Sequence, residues 1–521
     1  MSFKLTYSTM FNPPAEMHAR FEAAVARARA NLGATHPLYI DGADVPGVGV
    51  IRNVSPIDGA HLGDFATADA TQVDAAVAAA ARAFPAWRRL APAERVRLSH
   101  RVADLIDERV YDLAAALALE VGKNRLEALA EAAEVADFFR GYADEYARSG
   151  YYDCVLPDDP LTDWRSHNRS VLKPHGVWAV VSPFNFPLAL AAGPTAAALV
   201  TGNTVVAKGA SDTPWAVRLL ADLLRDAGYP AGVFNCVAGS GEVVGSALVD
   251  DPRIAGLTFT GSYAVGMDLS RRMSAGPWVR PCITEMGGKN AVIVTAHADL
   301  DRAVTGITRS AFGLGGQKCS AASRVYVAAQ VAEELQRRLV AEAEKIRVGD
   351  PTQQENWLGP VISARAVAQY EAYVQRLAAA GGAVLTGGRR LIEGPLAHGC
   401  YVAPTVATAP STHPLFEEEM FLPVLMICTV SGVEEGVARA NASALGLTAG
   451  VYGSSSDVEY FLDNIEAGTV YVNRPQGATT GAWPGYQAFS GWKGSTSTGK
   501  AIGSYYYLPL YLREQSQTVV E

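Results

Sequence analysis

The chain has little cysteine, six in 521 residues, and no long uninterrupted apolar run. Cys154, Cys236, Cys282, Cys319, Cys400 and Cys428 are scattered, no two form a Cys-x-x-Cys pair, and no His stands beside them at zinc spacing. That argues against a disulfide framework and against a metal site. The longest apolar stretch, Pro187–Val200, is broken by Gly193 and Pro194 and is too short to span a bilayer. The opening residues lack the apolar core of a signal peptide. Basic charge is also scarce: Lys plus Arg number 44 against 53 Asp plus Glu, a net −9. A mildly acidic chain without a basic run has no electrostatic footprint for nucleic acid. The expectation is a cytoplasmic protein with no metal and with neither nucleic acid nor membrane as partner. Repeats of 20–50 residues and low-complexity tracts are absent too.

What the sequence does have is length and ordered alternation. At roughly 100–200 residues per domain, the length implies two to four lobes. Helical spacing of apolar residues runs over Ala15–Leu32, then from Thr71 through Val73, Val77, Ala80 and Phe84. It continues over Leu98–Leu113 and Leu126–Tyr146, so the N-terminal third reads as mostly helix. A polar, Asp- and Pro-rich stretch near residues 151–173 interrupts the helices, with ends that read as a projecting hairpin. Beyond it, short buried strands at Val177–Ser182, Thr204–Ala207, Val233–Val237 and Gly256–Phe259 alternate with helices at Pro214–Ala227 and Glu242–Val249. A second alternation runs from Ala291 to about Val472. This pattern predicts an α/β fold with two parallel-sheet lobes. The apolar run Tyr505–Tyr511 reads as a β-former in need of cover.

Three positions have the chemistry of a reaction site. Cys319 lies among glycines beside Lys318, and a thiolate is a strong nucleophile; read alone, it fits a small buried hydrophobe better. Glu285, next to paired glycines, suits a general base or a solvated surface carboxylate. Asn185, at the end of a strand, suits an oxyanion donor or a turn. The loop with Gly239, Gly241 and Gly245 follows a strand and opens a helix, as does the segment with Ser262. Both placements suit a phosphate at a helix N-terminus, and both also suit ordinary turns.

The pieces occur together and in order: PFNFP at 183–187, FTGS at 259–262, EMGGKN at 285–290, GQKCS at 316–320 and EEMF at 418–421. In this the chain resembles the aldehyde dehydrogenase superfamily from about residue 40 onward. It looks most like the 1-pyrroline-5-carboxylate dehydrogenase branch, through Asp137–Arg140, the Cys319-Ser320 pair and the loop Thr480–Ala482. The resemblance implies a Rossmann-like cofactor lobe over residues 41–150 and 174–286 and a catalytic lobe over 287–485. Residues 1–40 are an appended arm, and 151–173 and 500–521 are oligomerisation elements of a homodimer or larger assembly.

The resemblance also implies roles. Cys319 attacks an aldehyde, Asn185 holds the oxyanion, and Glu285 activates water, which favours hydrolysis over transfer to coenzyme A. Lys208 and Glu419 bind the cofactor riboses, Ser262 the pyrophosphate, and Ser211, Gly241, Gly245 and Phe421 complete the cofactor set. Phe186, Ser320, Gly481, Ala482 and Phe489 form the substrate set. The implied substrate is L-glutamate γ-semialdehyde; a different, aromatic or catabolic, aldehyde is the alternative, and a non-enzymatic role on the same fold fits poorly with an intact Cys319, Glu285 and Asn185. Two departures stand out. Ser211 replaces the acidic residue that binds the adenosine 2′-hydroxyl, so NAD is expected with NADP still open. Leu422 replaces a glycine, and a Leu at positive φ would reshape that loop.

Overall fold

The computed structural model describes residues 13–160, 163–475 and 487–521. Two seven-stranded sheets organise it. The first runs, in spatial order, Cys282–Glu285, Ile254–Thr260, Val177–Val181, Thr204–Lys208, Phe234–Val237, Leu38–Ile40 and Ala43–Val45. Its first five strands are parallel; the last two add antiparallel. The parallel strands are almost wholly buried, as in the Thr204–Lys208 strand, because helices cover both faces. From Val177–Val181 the chain moves outward on one side to Thr204–Lys208, then returns to place Ile254–Thr260 on the other. That reversal opens a crevice at the carboxyl ends of the strands.

The second sheet runs Ala383–Thr386, Thr405–Thr408, Val424–Val430, Ala322–Ala328, Asn290–Val294, Thr448–Tyr452 and Thr469–Val472. Only the first pair is antiparallel. The expected two α/β lobes are therefore present.

Several local readings change. The N-terminal third is not only helix: Ala34–His36, Gly49–Val54 and His61–Thr67 form a separate three-stranded sheet, and Leu38–Ile40 joins the first large sheet. The Ala15–Ala30 helix buries Met17, Phe21, Ala24 and Val25 and packs on the long Pro92–Val121 helix. Glu242–Val249 is a wide turn over Gly241–Gly245 followed by a short helix, Ser246–Asp250.

The run Tyr505–Tyr511 is no strand. Leu508–Tyr511 is a single 3-10 turn with Pro509 in its second position, and it buries Leu508 and Tyr511; the strand is the polar segment after it, Leu512–Val520. It pairs along nine residues with Ser166–Pro174, which also pairs with Asp153–Leu156. The hairpin and the C-terminal tail thus share one small sheet.

Candidate active site

Cys319 and Glu285 come from different sheets and line one pocket. Glu285 ends the Cys282–Glu285 strand at the edge of the first sheet. Cys319 stands in the loop leading into the Ala322–Ala328 strand of the second. Three successive left-handed residues, Leu314, Gly315 and Gly316, shape that loop. A Cβ on Gly316 would lie 2.4 Å from the Leu422 carbonyl oxygen, so a glycine is required there.

The loop is then clamped. Asn290 donates its side-chain amide to the Cys319 carbonyl at 2.7 Å and to the Ala321 carbonyl at 2.9 Å, while its oxygen accepts from the Thr448 N–H. The Gln317 side chain donates to the Leu314 carbonyl and accepts from the Ile362 N–H. Lys318 pairs with Glu127 at 3.1 Å. Sequence reasoning did not assign Asn290 or Glu127; a buried Asn in the same motif as Glu285 was the available signal for the first.

The electrostatics of the pair are set by burial. Cys319 is partly open to the pocket, yet desolvation, with Glu419 and Glu285 nearby, pushes its thiol up to about 12; the backbone N–H groups of Ser320 and Cys319 oppose this. Glu285 is not on the surface but only 4% exposed. Burial raises its carboxyl to about 7, against the opposing hydrogen bonds from the Ile502 N–H and the Tyr507 hydroxyl. The Ile502 bond is 2.8 Å. A carboxyl near 7 is suited to taking a proton at neutral pH.

Asn185 is 3% exposed and follows the Val177–Val181 strand. Its side-chain amide donates to the Gln317 carbonyl at 2.8 Å, at the base of the cysteine loop. Phe186, Phe489 and Ser320 line the pocket, with Phe138, Glu134 and Lys318, which the sequence reading had not put in the substrate set. Lys123 sits 3.5 Å above the Phe186 ring and is fully buried with Glu131 as its partner. Gly481 and Ala482, with Thr480, lie outside the described residues.

The cofactor candidates gather at the carboxyl edge of the first sheet. Lys208 ends its strand and donates to the Gly209 carbonyl at 3.0 Å; burial lowers its ammonium to about 8. Ser262 caps the twelve-residue helix Tyr263–Ser274, and its side chain satisfies none of that helix's first N–H groups. Those free N–H groups fit a pyrophosphate. Ser240 instead caps the Gly241–Gly245 turn through the Val243 N–H, and a Cβ on Gly241 or Gly245 would meet nothing. That space is open to a ligand.

Exposed Ser211 donates to the Gly239 carbonyl at 3.2 Å, and the neighbouring Asp212 lies 3.8 Å from Arg365. Glu419 accepts from the Gly288 N–H at 2.9 Å; a Cβ on Gly287 would lie 2.0 Å from its other oxygen. The left-handed residue of its loop is Phe421, φ +57°, rather than Leu422, which is buried. The Leu422 substitution therefore does not strain the backbone at its own position. The Phe421 ring meets Phe184 edge-on at 5.9 Å. Among the described residues, no group of three or more His, Cys, Asp or Glu is arranged to hold a metal ion, and no helix is long and apolar enough to cross a membrane.

Known proteins resemble this arrangement over the whole chain. A 1-pyrroline-5-carboxylate dehydrogenase of Geobacillus thermodenitrificans (strain NG80-2) is 36% identical, across 96% of both chains. A Thermus 1-pyrroline-5-carboxylate dehydrogenase solved with bound NAD superposes with a TM-score of 0.93 at 34% identity, covering 100% of this chain and 99% of that one. Proline utilization A from Bdellovibrio bacteriovorus superposes with a TM-score of 0.90 at 33% identity, covering 96% of this chain and 51% of that longer one. The sequence pattern of the aldehyde dehydrogenase family matches residues 45–516, and the chain belongs to that family.

Proposed function

We propose that the protein oxidises L-glutamate γ-semialdehyde to L-glutamate with NAD, using Cys319 as nucleophile and Glu285 as base. The observation that carries this reading is the convergence of Cys319 and Glu285 on one pocket whose wall also holds Glu134 and Lys318. An acidic side chain and a Lys318 ammonium, itself paired with Glu127, beside the apolar Phe138, Phe186, Leu447 and Phe489 suit an aldehyde that carries both charges. The names of the similar dehydrogenases point to the same substrate.

In the first step the Cys319 sulfur bonds to the aldehyde carbon, and the thiol proton passes to water. The carbonyl oxygen becomes an oxyanion, which the Asn185 amide and the Cys319 N–H would stabilise. Lys208, Ser262 and Glu419 would hold NAD, which would supply the acceptor for the hydride that leaves the former aldehyde carbon as the thioester forms. The resulting thioester is opened by water: Glu285 takes a proton from the water, the C–S bond breaks, and the sulfur leaves as thiolate.

Phe138, Phe186 and Phe489 on the pocket wall favour a second reading, an aromatic or aliphatic aldehyde without charge. Initial rates of NADH formation across glutamate semialdehyde, aliphatic and aromatic aldehydes separate the two. The expected winner in kcat/KM is glutamate semialdehyde; a neutral aldehyde ahead of it would overturn the substrate. Glu285→Gln should accumulate the thioester as added protein mass, and full turnover by that variant would remove Glu285 from the mechanism.

The same reading includes self-assembly in the cytoplasm. The outer strand Asp153–Leu156 is exposed throughout, and Val155, Val519 and Val520 of that small sheet face solvent. An unpaired edge of this kind favours pairing with a second copy. Light scattering at micromolar concentration should return a dimer or larger; a monomer would refute it.

A further inference from the structure

We propose that Glu131 is a positioning residue for the oxyanion donor: through the backbone N–H groups of Leu188 and Ala189 it sets where Asn185 stands relative to Cys319. The proposal rests on the reading of Asn185 as that donor. One oxygen of Glu131 accepts from the Leu188 N–H at 2.9 Å and from the Ala189 N–H at 3.1 Å. Its other oxygen accepts from the Lys123 ammonium. Both side chains are fully excluded from solvent, and neither is among the described residues that line the pocket.

The sequence puts this anchor where a loop becomes a helix. Asn185, Phe186 and Pro187 run straight into the helix Ala189–Val200, whose N-cap is Leu188. A Leu side chain cannot cap a helix and Pro187 has no N–H, so the Leu188 and Ala189 N–H groups need an acceptor from elsewhere. A carboxylate suits that end of a helix. Buried alone it would be costly, and Lys123 supplies the counter-charge. The same ammonium lies 3.5 Å from the centre of the Phe186 ring, which lines the pocket. The ion pair thus holds the residues on both sides of Pro187, one step from Asn185.

Glu131 reaches the loop from the helix Arg125–Arg148, and that helix also reaches the nucleophile. Glu127, Glu131, Glu134 and Phe138 follow one another at helical spacing, which puts them on one face. Glu127 pairs with Lys318, next to Cys319, at 3.1 Å, while Glu134 and Phe138 line the pocket. One rigid face therefore holds the Cys319 loop and, a turn further on, the Asn185 loop, so the spacing of nucleophile and oxyanion donor follows a helical repeat. The start of this helix is itself fixed. The Asn124 side chain accepts from the Leu126 and Glu127 N–H groups and donates to the Trp357 carbonyl at 2.8 Å. Gly122 closes the preceding helix, Pro92–Val121, in left-handed backbone at φ +83°, and a Cβ there would lie 2.8 Å from Pro360. That tight turn is what aims Lys123 inward.

The test uses the intact enzyme with saturating NAD, in excess over glutamate semialdehyde, and reads the single-turnover rate of NADH formation, which precedes hydrolysis. Lys123→Met with Glu131→Leu removes the acceptor and leaves no unpaired charge; NADH formation should slow at least about tenfold, the cost of a displaced donor. Lys123→Met with Glu131→Gln returns an oxygen to the two N–H groups and should recover to within about threefold of the native rate. If the Leu variant does not fold, Glu131→Asp is the readout: it keeps Lys123 paired but draws the oxygens back by one carbon, and should slow the same step. In an Asn185→Ala background these changes should cost less than about threefold, because the amide they displace is gone. A native rate in the folded Leu or Asp variant, a Gln variant as slow as the Leu variant, or equal losses in both backgrounds would overturn the proposal and leave the pair a role in the fold alone. Native-rate NADH formation in Asn185→Ala would remove the donor role of Asn185, and the proposal with it. Oxidation of another aldehyde but not glutamate semialdehyde would overturn the substrate alone, and the same series on that aldehyde then decides the role of Glu131.

Discussion

The side-chain amide of Asn185 donates to the backbone carbonyl of Gln317 at 2.8 Å, two residues before Cys319. One amide proton therefore ties the strand end of the first sheet to the nucleophile loop of the second, which leaves the other for the oxyanion role proposed for this residue. An oxyanion donor held this way costs no reorganisation when charge develops.

Removing it should slow the first chemical step. Asn185→Ala is expected to lower kcat/KM by about 10²–10³, with the NADH burst slowed to match. Asn185→Asp should fare no better, because a carboxylate facing an oxyanion repels it. A burst at the native rate in Asn185→Ala would place the oxyanion elsewhere.

Cys319 leads to a second expectation. Burial and the carboxyls of Glu419 and Glu285 push its thiol up to about 12, so the resting site holds a protonated thiol at neutral pH. The thiolate is the reactive form, so inactivation by iodoacetamide should accelerate steadily with pH from 7 to beyond 9 without levelling off. Glu285→Gln and Glu419→Gln should each speed it at fixed pH, since each removes a negative neighbour. A plateau near pH 7 would show that the thiol is already ionised at rest.

The sequence was most legible where one segment carries its own signal. The strand Val177–Val181 is apolar at every position, so burial on both faces was visible in its composition. Cys319 among glycines and Glu285 beside Gly287 and Gly288 stood out by their neighbours, but each read alone fitted a structural role, and it was the family motifs occurring in order that singled them out as candidates. What depends on distant partners was not legible. Asn290 is 29 positions from the carbonyl it holds, and Glu127 meets Lys318 across the fold. The strands Ala34–His36 and Leu38–Ile40 have three residues each, too few for periodicity to show. The segment around Tyr507 misled for a physical reason: aromatic residues favour strands, but Pro509 sits in a tight turn there and the buried Tyr511 hydroxyl finds a partner on another element.

Lys208 sets function against stability. Burial lowers its ammonium from 10.5 to about 8. An unfolded chain keeps that proton to about pH 10.4. Between those values the unfolded state binds more protons, so the lysine's contribution to stability rises with pH, and below pH 8 its full penalty is present. Lys208→Met should therefore stabilise the fold at pH 7 by on the order of 1–3 kcal/mol, and the gain should shrink as pH rises toward 10. The same substitution removes a donor proposed for a cofactor ribose, so NAD should bind at least about tenfold more weakly. Thermal unfolding at pH 7 and pH 10, with an NAD titration at pH 7, checks both halves. A stability difference equal at the two pH values would show that the ammonium is not desolvated in solution, and an unchanged NAD affinity would move the ribose contact to another residue.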